Sequence, residues 1–159
     1  MTNIKVKTRF GELSIDPAQI ITFPKGIPGF EKCTRWKLFH EIDDQGNLVN
    51  GMVVHLLSID DGDVSLPLTD PTLSGFNYNL VLTDDEIAEL ELDDPSNILV
   101  LTVLSVKGDA PQNGHKKVKE NMYANISAPI LINIKSRLGM QKILTGKESK
   151  VNFRQRVPA

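Results

Sequence analysis

From Ile4 to Phe10 the chain alternates strictly: Ile4, Val6, Thr8 and Phe10 against Lys5, Lys7 and Arg9. In an extended backbone this places apolar groups on one face and bases on the other, the pattern of a half-buried strand. Similar short runs recur at 13–15, 20–23, 36–40, 52–59, 64–68, 78–82, 98–106, 122–127, 130–134 and 151–153. Turn-forming clusters at 43–47, 60–63, 93–97 and 107–114 separate them. The run at 98–104 is almost unbroken in its apolarity, which predicts a strand buried on both faces at the centre of the sheet. Many short strands punctuated in this way predict a mostly β chain, a single-domain antiparallel β-barrel-like fold.

One helix is well signalled. Thr83 can cap it, Glu86 completes a capping box, and Leu82 with Ile87 occupies the positions of a hydrophobic staple. Asp84 and Asp85 suit the positive end of its dipole, and Ile87 with Leu90 gives it one apolar stripe to lay on the barrel before Asp94-Pro95 stops it. Residues 137–144 read equally as a helical turn or as a strand broken at Gly139, so the fold has one or two short helices.

At 159 residues the chain is expected to form one domain over 1–159, large enough to bury a core without disulfides or metal. The basic N-terminus lacks the apolar region of a signal peptide, and no stretch approaches the ~20 apolar residues of a membrane span. A lone Cys33 agrees with a reducing compartment. The expectation is a cytoplasmic protein that does not engage a membrane.

Charge changes the picture more than composition does. The net charge of −2 conceals a block from Glu41 to Asp109 with fifteen acids and one base, Lys107. Totals of 20 acids and 18 bases leave five acids and seventeen bases for the two flanks. The block is either a set of solvated acidic turns or one face of the folded molecule; spacing alone decides neither.

Catalytic and ligand chemistry find little support. Cys33 and His40 stand seven apart with nothing to bring them together as a thiolate–imidazole pair. His40, His55 and His115 lack zinc spacing. The turn at Asp43 has Leu48 where a calcium loop needs glycine and Val54 where it needs a bidentate glutamate. No glycine-rich phosphate loop is present. No catalytic residue, cofactor or metal is assigned. With 6% aromatics and a pI of about 5.9, the small basic cluster Lys116, Lys117 and Lys119 reads as a solvated loop, and no direct nucleic-acid binding is expected.

Two tracts stand apart. In Phe23-Pro24-Lys25-Gly26-Ile27-Pro28-Gly29-Phe30-Glu31, prolines and glycines bend the backbone in quick succession. A stiff turn of this kind either presents Ile27 and Phe30 to a partner at small entropic cost or folds Phe30 back as a core plug. In Asn125-Ile126-Ser127-Ala128-Pro129-Ile130-Leu131-Ile132-Asn133, Pro129 cannot donate to a ladder, so it marks an edge open to docking or a plain strand junction.

Together these tracts resemble the bacterial flagellar assembly factor FliW family, as does Gly139-Met140-Gln141-Lys142-Ile143-Leu144 after them and the Asp70-Pro71 pair between them. The middle departs from the family pattern, with Val53-Val54-His55-Leu56-Leu57-Ser58 where Pro-Phe and Leu-Gln-Ser are usual. The resemblance implies a non-enzymatic regulator that binds newly made flagellin and, when flagellin is scarce, the translational repressor CsrA. Candidate protein-binding residues are Ile27, Pro28, Phe30, Glu31, Asp60, Asp61, Asp63, Asp70, Pro71, Asn125, Pro129 and Asn133. The acidic turns are expected to face CsrA, and an apolar patch to face the amphipathic ends of flagellin. A split-barrel flavin enzyme and an RNA-binding barrel are the alternatives.

Overall fold

Strand β1 (Ile4–Thr8) turns through Arg9-Phe10 into β2 (Gly11–Ile15), and the two pair antiparallel as a separate hairpin. This computed structural model describes residues 3–49, 51–75, 78, 80–106, 115–119 and 122–144. The alternation read from the sequence holds: Val6 and Ile15 are buried with Ile59, with Ile4, Leu13 and Ile20 packed around them. The hairpin rests on the turn after Ile59. Arg9 N donates to Gly62 O at 3.2 Å, and a Cβ on Gly62 would lie 1.8 Å from Lys7 O. Only glycine lets the two backbones approach that closely.

The remaining strands form one sheet among the described residues. They are β3 (Ile21–Thr22), β4 (Arg35–Phe39), β5 (Val54–Ser58), β6 (Ser65–Thr69), β7 (Ile98–Val106), β8 (His115–Lys119), β9 (Met122–Asn125), β10 (Ile130–Asn133) and β11 (Leu138–Gln141). Because β10 pairs with β11 on one edge and with β7 on the other, the run β7-β6-β5-β4-β3-β11-β10 closes on itself. This is the expected barrel. All its pairings are antiparallel except the short contact of β11 with β3. The β8–β9 hairpin extends the sheet beyond the second half of β7.

Side chains fill the barrel. Phe23, Trp36, Leu56, Leu68, Ile130 and Ile132 are all fully buried there. Trp36 stacks edge-on to Phe23 and Phe30, and its indole nitrogen donates to Cys33 O at 2.9 Å, so the one polar atom of the ring is satisfied. The close pass of β11 over Phe23 depends on Gly139, whose added Cβ would lie 2.5 Å from the ring.

Three sequence expectations change. Residues 78 and 80–82 belong to no strand. The stretch 137–144 holds β11 and no helix, so α1 (Asp84–Glu89) is the single α-helix among the described residues, with its capping box formed as expected. Lys116, Lys117 and Lys119 belong to β8, not a loop; the run is too polar to be read as a strand by periodicity. The central burial read for β7 holds at its middle, where Leu101 and Thr102 on opposite faces are both buried and the strand pairs with β6, β9 and β10, while its first residues, Ile98 and Val100, floor an outer cleft. The run expected at 151–153 lies outside the described residues.

Histidine 55 ties the hairpin to the barrel. Its ring centroid lies 4.8 Å from Phe10 and 6.4 Å from Phe39, and its Nδ1 is buried with no hydrogen-bond partner among the described residues. Burial pushes its pKa down; Glu41 opposes this, and Arg9 and His40 reinforce it. The unfolded chain therefore binds a proton near pH ~6.5 that the folded chain refuses, and stability falls as pH drops below that value. Urea midpoints measured between about pH 7.5 and 5 should decline, and His55→Phe should flatten that decline. Gly139→Ala should cost roughly 1–3 kcal/mol by overpacking against Phe23, read from the same urea curves at neutral pH.

Candidate functional site

The outward face of β10 sets the geometry of the molecule's outer cleft. Ile130 and Ile132 point into the barrel, so alternation turns Leu131 and Asn133 outward, yet all four residues are buried. What covers them is α1. Asn133 Nδ2 donates to Leu90 O at 2.9 Å and to Glu91 O at 3.3 Å, while its Oδ1 accepts from Lys135 N at 2.9 Å. Ser136 Oγ adds a bond to Leu90 O at 2.8 Å. These groups take up carbonyls that the helix end leaves without partners. The helix closes in a Schellman turn, Leu92 N to Ile87 O and Glu91 N to Ala88 O, which forces Glu91 to φ 50°.

The other end of α1 is held by charge. Lys142, 4% exposed, bonds both carboxylate oxygens of Glu86 at 2.8 and 2.9 Å, and Glu86 Oε1 also accepts from Thr83 N at 2.8 Å. One carboxylate thus closes the capping box and neutralises a buried ammonium. Lys25 joins Glu89 at 2.9 Å, and Lys135 joins Asp93 at 3.0 Å.

Between α1, the segment at 80–82 and the start of β7 lies a cleft of about 550 Å³. Its walls are Tyr78, Leu80, Leu82, Ile87 and Leu92, its floor Ile98, Val100 and Leu131, and Asp70 with Pro71 forms one rim. Ile87, 37% exposed, carries the apolar wall of the cleft to the surface. The Tyr78 hydroxyl donates to Ile126 O, and burial raises its pKa well above the phenol range.

The residues expected to bind partners divide into three districts. Asp70 and Pro71 reach the cleft, where Asp70 Oδ1 caps a 3-10 turn by accepting from Thr72 N at 2.9 Å. Asn133 and Pro129 are buried, and Asn125 accepts from Ser127 Oγ at 3.0 Å. The expectation that Asn133 faces a partner is corrected: its side chain is spent on α1. Ile27 also needs correction, being 2% exposed within the barrel core instead of presented from its turn. The turn is tight, with Phe30 N to Ile27 O at 2.6 Å and Gly26 at φ 68°, so Ile27 and the half-buried Phe30 swing inward. Pro28 and Glu31 stay exposed, and Glu31 accepts from Gly29 N at 3.0 Å, which lowers its pKa.

Asp60, Asp61 and Asp63 lie apart from the cleft, under the β1–β2 hairpin. Asp60 accepts from the Thr34 and Arg35 amides at 3.0 Å and from the Arg35 guanidinium at 2.8 and 2.9 Å. Burial pushes its carboxyl up, but these bonds together outweigh burial and hold it below the usual range. Asp61 and Asp63 are exposed, with Asp61 Oδ1 accepting from Asp63 N at 3.1 Å. Sequence reasoning missed Leu80, Leu82, Ile87 and Leu92 as cleft walls. The unbroken apolar run Leu80-Val81-Leu82 was the available signal, since a strand half-buried against the barrel would have alternated there.

A family model described as FliW protein matches residues 5–156. The chain belongs to the FliW family. FliW relatives described as flagellar assembly factors include one from Azoarcus sp., 35% identical over 92% of this chain and 94% of its own, and one from Thermosipho africanus, 32% identical over 95% and 94%. A crystal structure of the flagellar assembly factor FliW superposes with a TM-score of 0.72 at 25% identity, covering 98% of this chain and 96% of that one. FliW is a family of assembly factors and not of enzymes. The FliW tracts recognised in the sequence therefore have a physical meaning here: Asn133 and Lys142 clamp α1, and Ile27 plugs the barrel.

Glu86→Gln keeps an acceptor for Thr83 N but removes the negative charge beside Lys142. It should cost roughly 2–3 kcal/mol in thermal unfolding, below the full cost for a wholly buried pair because the carboxylate is part-solvated. Adding Lys142→Met should recover much of that loss, as a double-mutant cycle will show.

Proposed function

We propose that this protein is a cytoplasmic flagellar assembly factor that binds newly made flagellin and, when flagellin is scarce, CsrA, so relieving CsrA repression of flagellin translation. The observation that carries this reading is the FliW match over residues 5–156. It acts as one domain over 1–159, through its outer surface. The barrel interior packed with Phe23, Trp36, Leu56 and Ile132 supports surface action over a flavin pocket. Among the described residues no helix is long and apolar enough to cross a membrane.

The apolar cleft suits an amphipathic segment of flagellin, whose apolar stripe would replace water on Leu80, Leu82, Ile87 and Val100. Asp70 and Pro71 would meet it at the rim. The exposed acids Asp61, Asp63, Asp84 and Asp85 would steer the basic surface with which CsrA holds RNA. Pro28 and Glu31 remain available on the same exterior.

Pull-down with the purified full chain separates these roles. Ile87→Asp should cut flagellin retention at least about tenfold, the effect of removing one central apolar anchor, and leave CsrA retention intact. Charge reversal at Asp61 and Asp63, or at Asp84 and Asp85, should slow CsrA association, and ~1 M salt should abolish the difference from the parent chain. Capture of neither protein from a motile cell's cytoplasm would sink the reading.

A further inference from the structure

The β1–β2 hairpin is fastened to the barrel without sharing its sheet. Its two strands form a sheet of their own, and the run from β7 round to β10 closes without them. What fastens it is the bond from Arg9 N to Gly62 O at 3.2 Å, the small apolar cluster of Val6, Ile15 and Ile59, and the Phe10 ring at the hairpin's tip. Lifting the hairpin away therefore breaks no barrel ladder.

At the tip, the Phe10 ring centroid lies 5.0 Å from that of Phe39 and 4.8 Å from that of His55. The His55 side chain is 15% exposed, and its Nδ1 is buried with no hydrogen-bond partner among the described residues. Its Nε2 stands 3.9 Å from Glu41 Oε1, beyond hydrogen-bond reach. A neutral imidazole carries a proton on one nitrogen, whereas the charged form carries one on each. Protonation thus places a donor on Nδ1 where Phe10 and Phe39 offer no acceptor, and a buried donor left unpaired is costly. The charged groups facing His55 are Glu41, which favours the proton, and Arg9 of the hairpin and His40 at the end of β4, which oppose it. Undocking removes Phe10 and Arg9 together and opens Nδ1 to water.

We propose that His55 is a proton-operated latch for the β1–β2 hairpin: neutral, it holds the Phe10 tip in place, and protonated, it releases the hairpin as a unit while the barrel stays closed. The surface uncovered is Ile59 and the Asp60–Asp63 turn on the barrel, with Val6, Leu13 and Ile15 on the hairpin. Burial is the main cause that lowers the docked pKa, so the undocked state binds the proton more readily. Docking is complete above pH ~6.5, the ordinary histidine value, and weakens below it, the undocked population rising at most about tenfold per pH unit. Loss of stability in acid then begins as a local opening, ahead of barrel unfolding. The latch needs no partner and stands apart from the reading of flagellin and CsrA.

Hydrogen exchange of the full chain, followed by mass spectrometry at pH 7.5 and 5.5 and corrected for the chemical pH dependence of exchange, tests it. The amides of residues 4–15 should lose protection by up to about tenfold at pH 5.5, while those of β5, β6 and β7 keep theirs. His55→Phe retains a ring in the stack and should abolish the loss. Glu41→Gln, at a side chain 46% exposed, removes the group that favours the proton in the docked state and should leave the loss at least as large. It carries the test by itself if His55→Phe does not fold. Hairpin and barrel amides losing protection together would overturn the latch, as would hairpin protection unchanged between the two pH values. A loss that persists in His55→Phe would overturn it too, and one that shrinks in Glu41→Gln would assign the proton to Glu41 instead.

Discussion

The helix and the cleft outside the barrel depend on β10 being buried on both faces. Its inward residues, Ile130 and Ile132, belong to the core, and its outward residues, Leu131 and Asn133, would be exposed if nothing covered them. Burying an amide side chain is costly without hydrogen bonds. Asn133 meets that cost by bonding the C-terminal carbonyls of α1, so the helix is fixed by the same residue that needs cover. The Lys142–Glu86 pair repeats this logic at the opposite helix end. A helix of six residues has little stability of its own, and here tertiary bonds hold both ends.

Once α1 is fixed, the cleft follows. The segment at 80–82 leads into the Thr83 cap, so its path over β7 is set by the helix start, and its leucines face the floor laid by Ile98 and Val100. The arrangement leaves an apolar trough where a barrel strand would otherwise show a polar face to water. Exposed apolar surface of this kind, bordered by charge, is what interaction sites offer.

Much of the architecture was legible from local chemistry. The Ile4–Thr8 alternation, the Thr83 capping box and the turn clusters at 43–47, 60–63 and 93–97 each depend on neighbours in sequence, and each formed as read, while the cluster at 107–114 lies outside the described residues. What was not legible required knowing what lies across the fold. Ile27 in its proline-glycine turn could swing out or in, and only the space beside Trp36 decides it. The acids were partly misread for a related reason. Asp16, Asp70 and Asp94 each precede proline and cap a 3-10 turn through their own carboxylate, so some of the acidic composition is turn chemistry before it is surface field. Asp60 likewise looked available until Arg35, distant in sequence, proved to hold it.

The molecule's single tryptophan, Trp36, is wholly enclosed at the centre of the barrel. Its indole emission therefore reports on the integrity of the interior and is shielded from events on the far side of β7. A ligand could occupy the outer trough while the intrinsic fluorescence stays constant, so an optically silent titration carries no information about binding there.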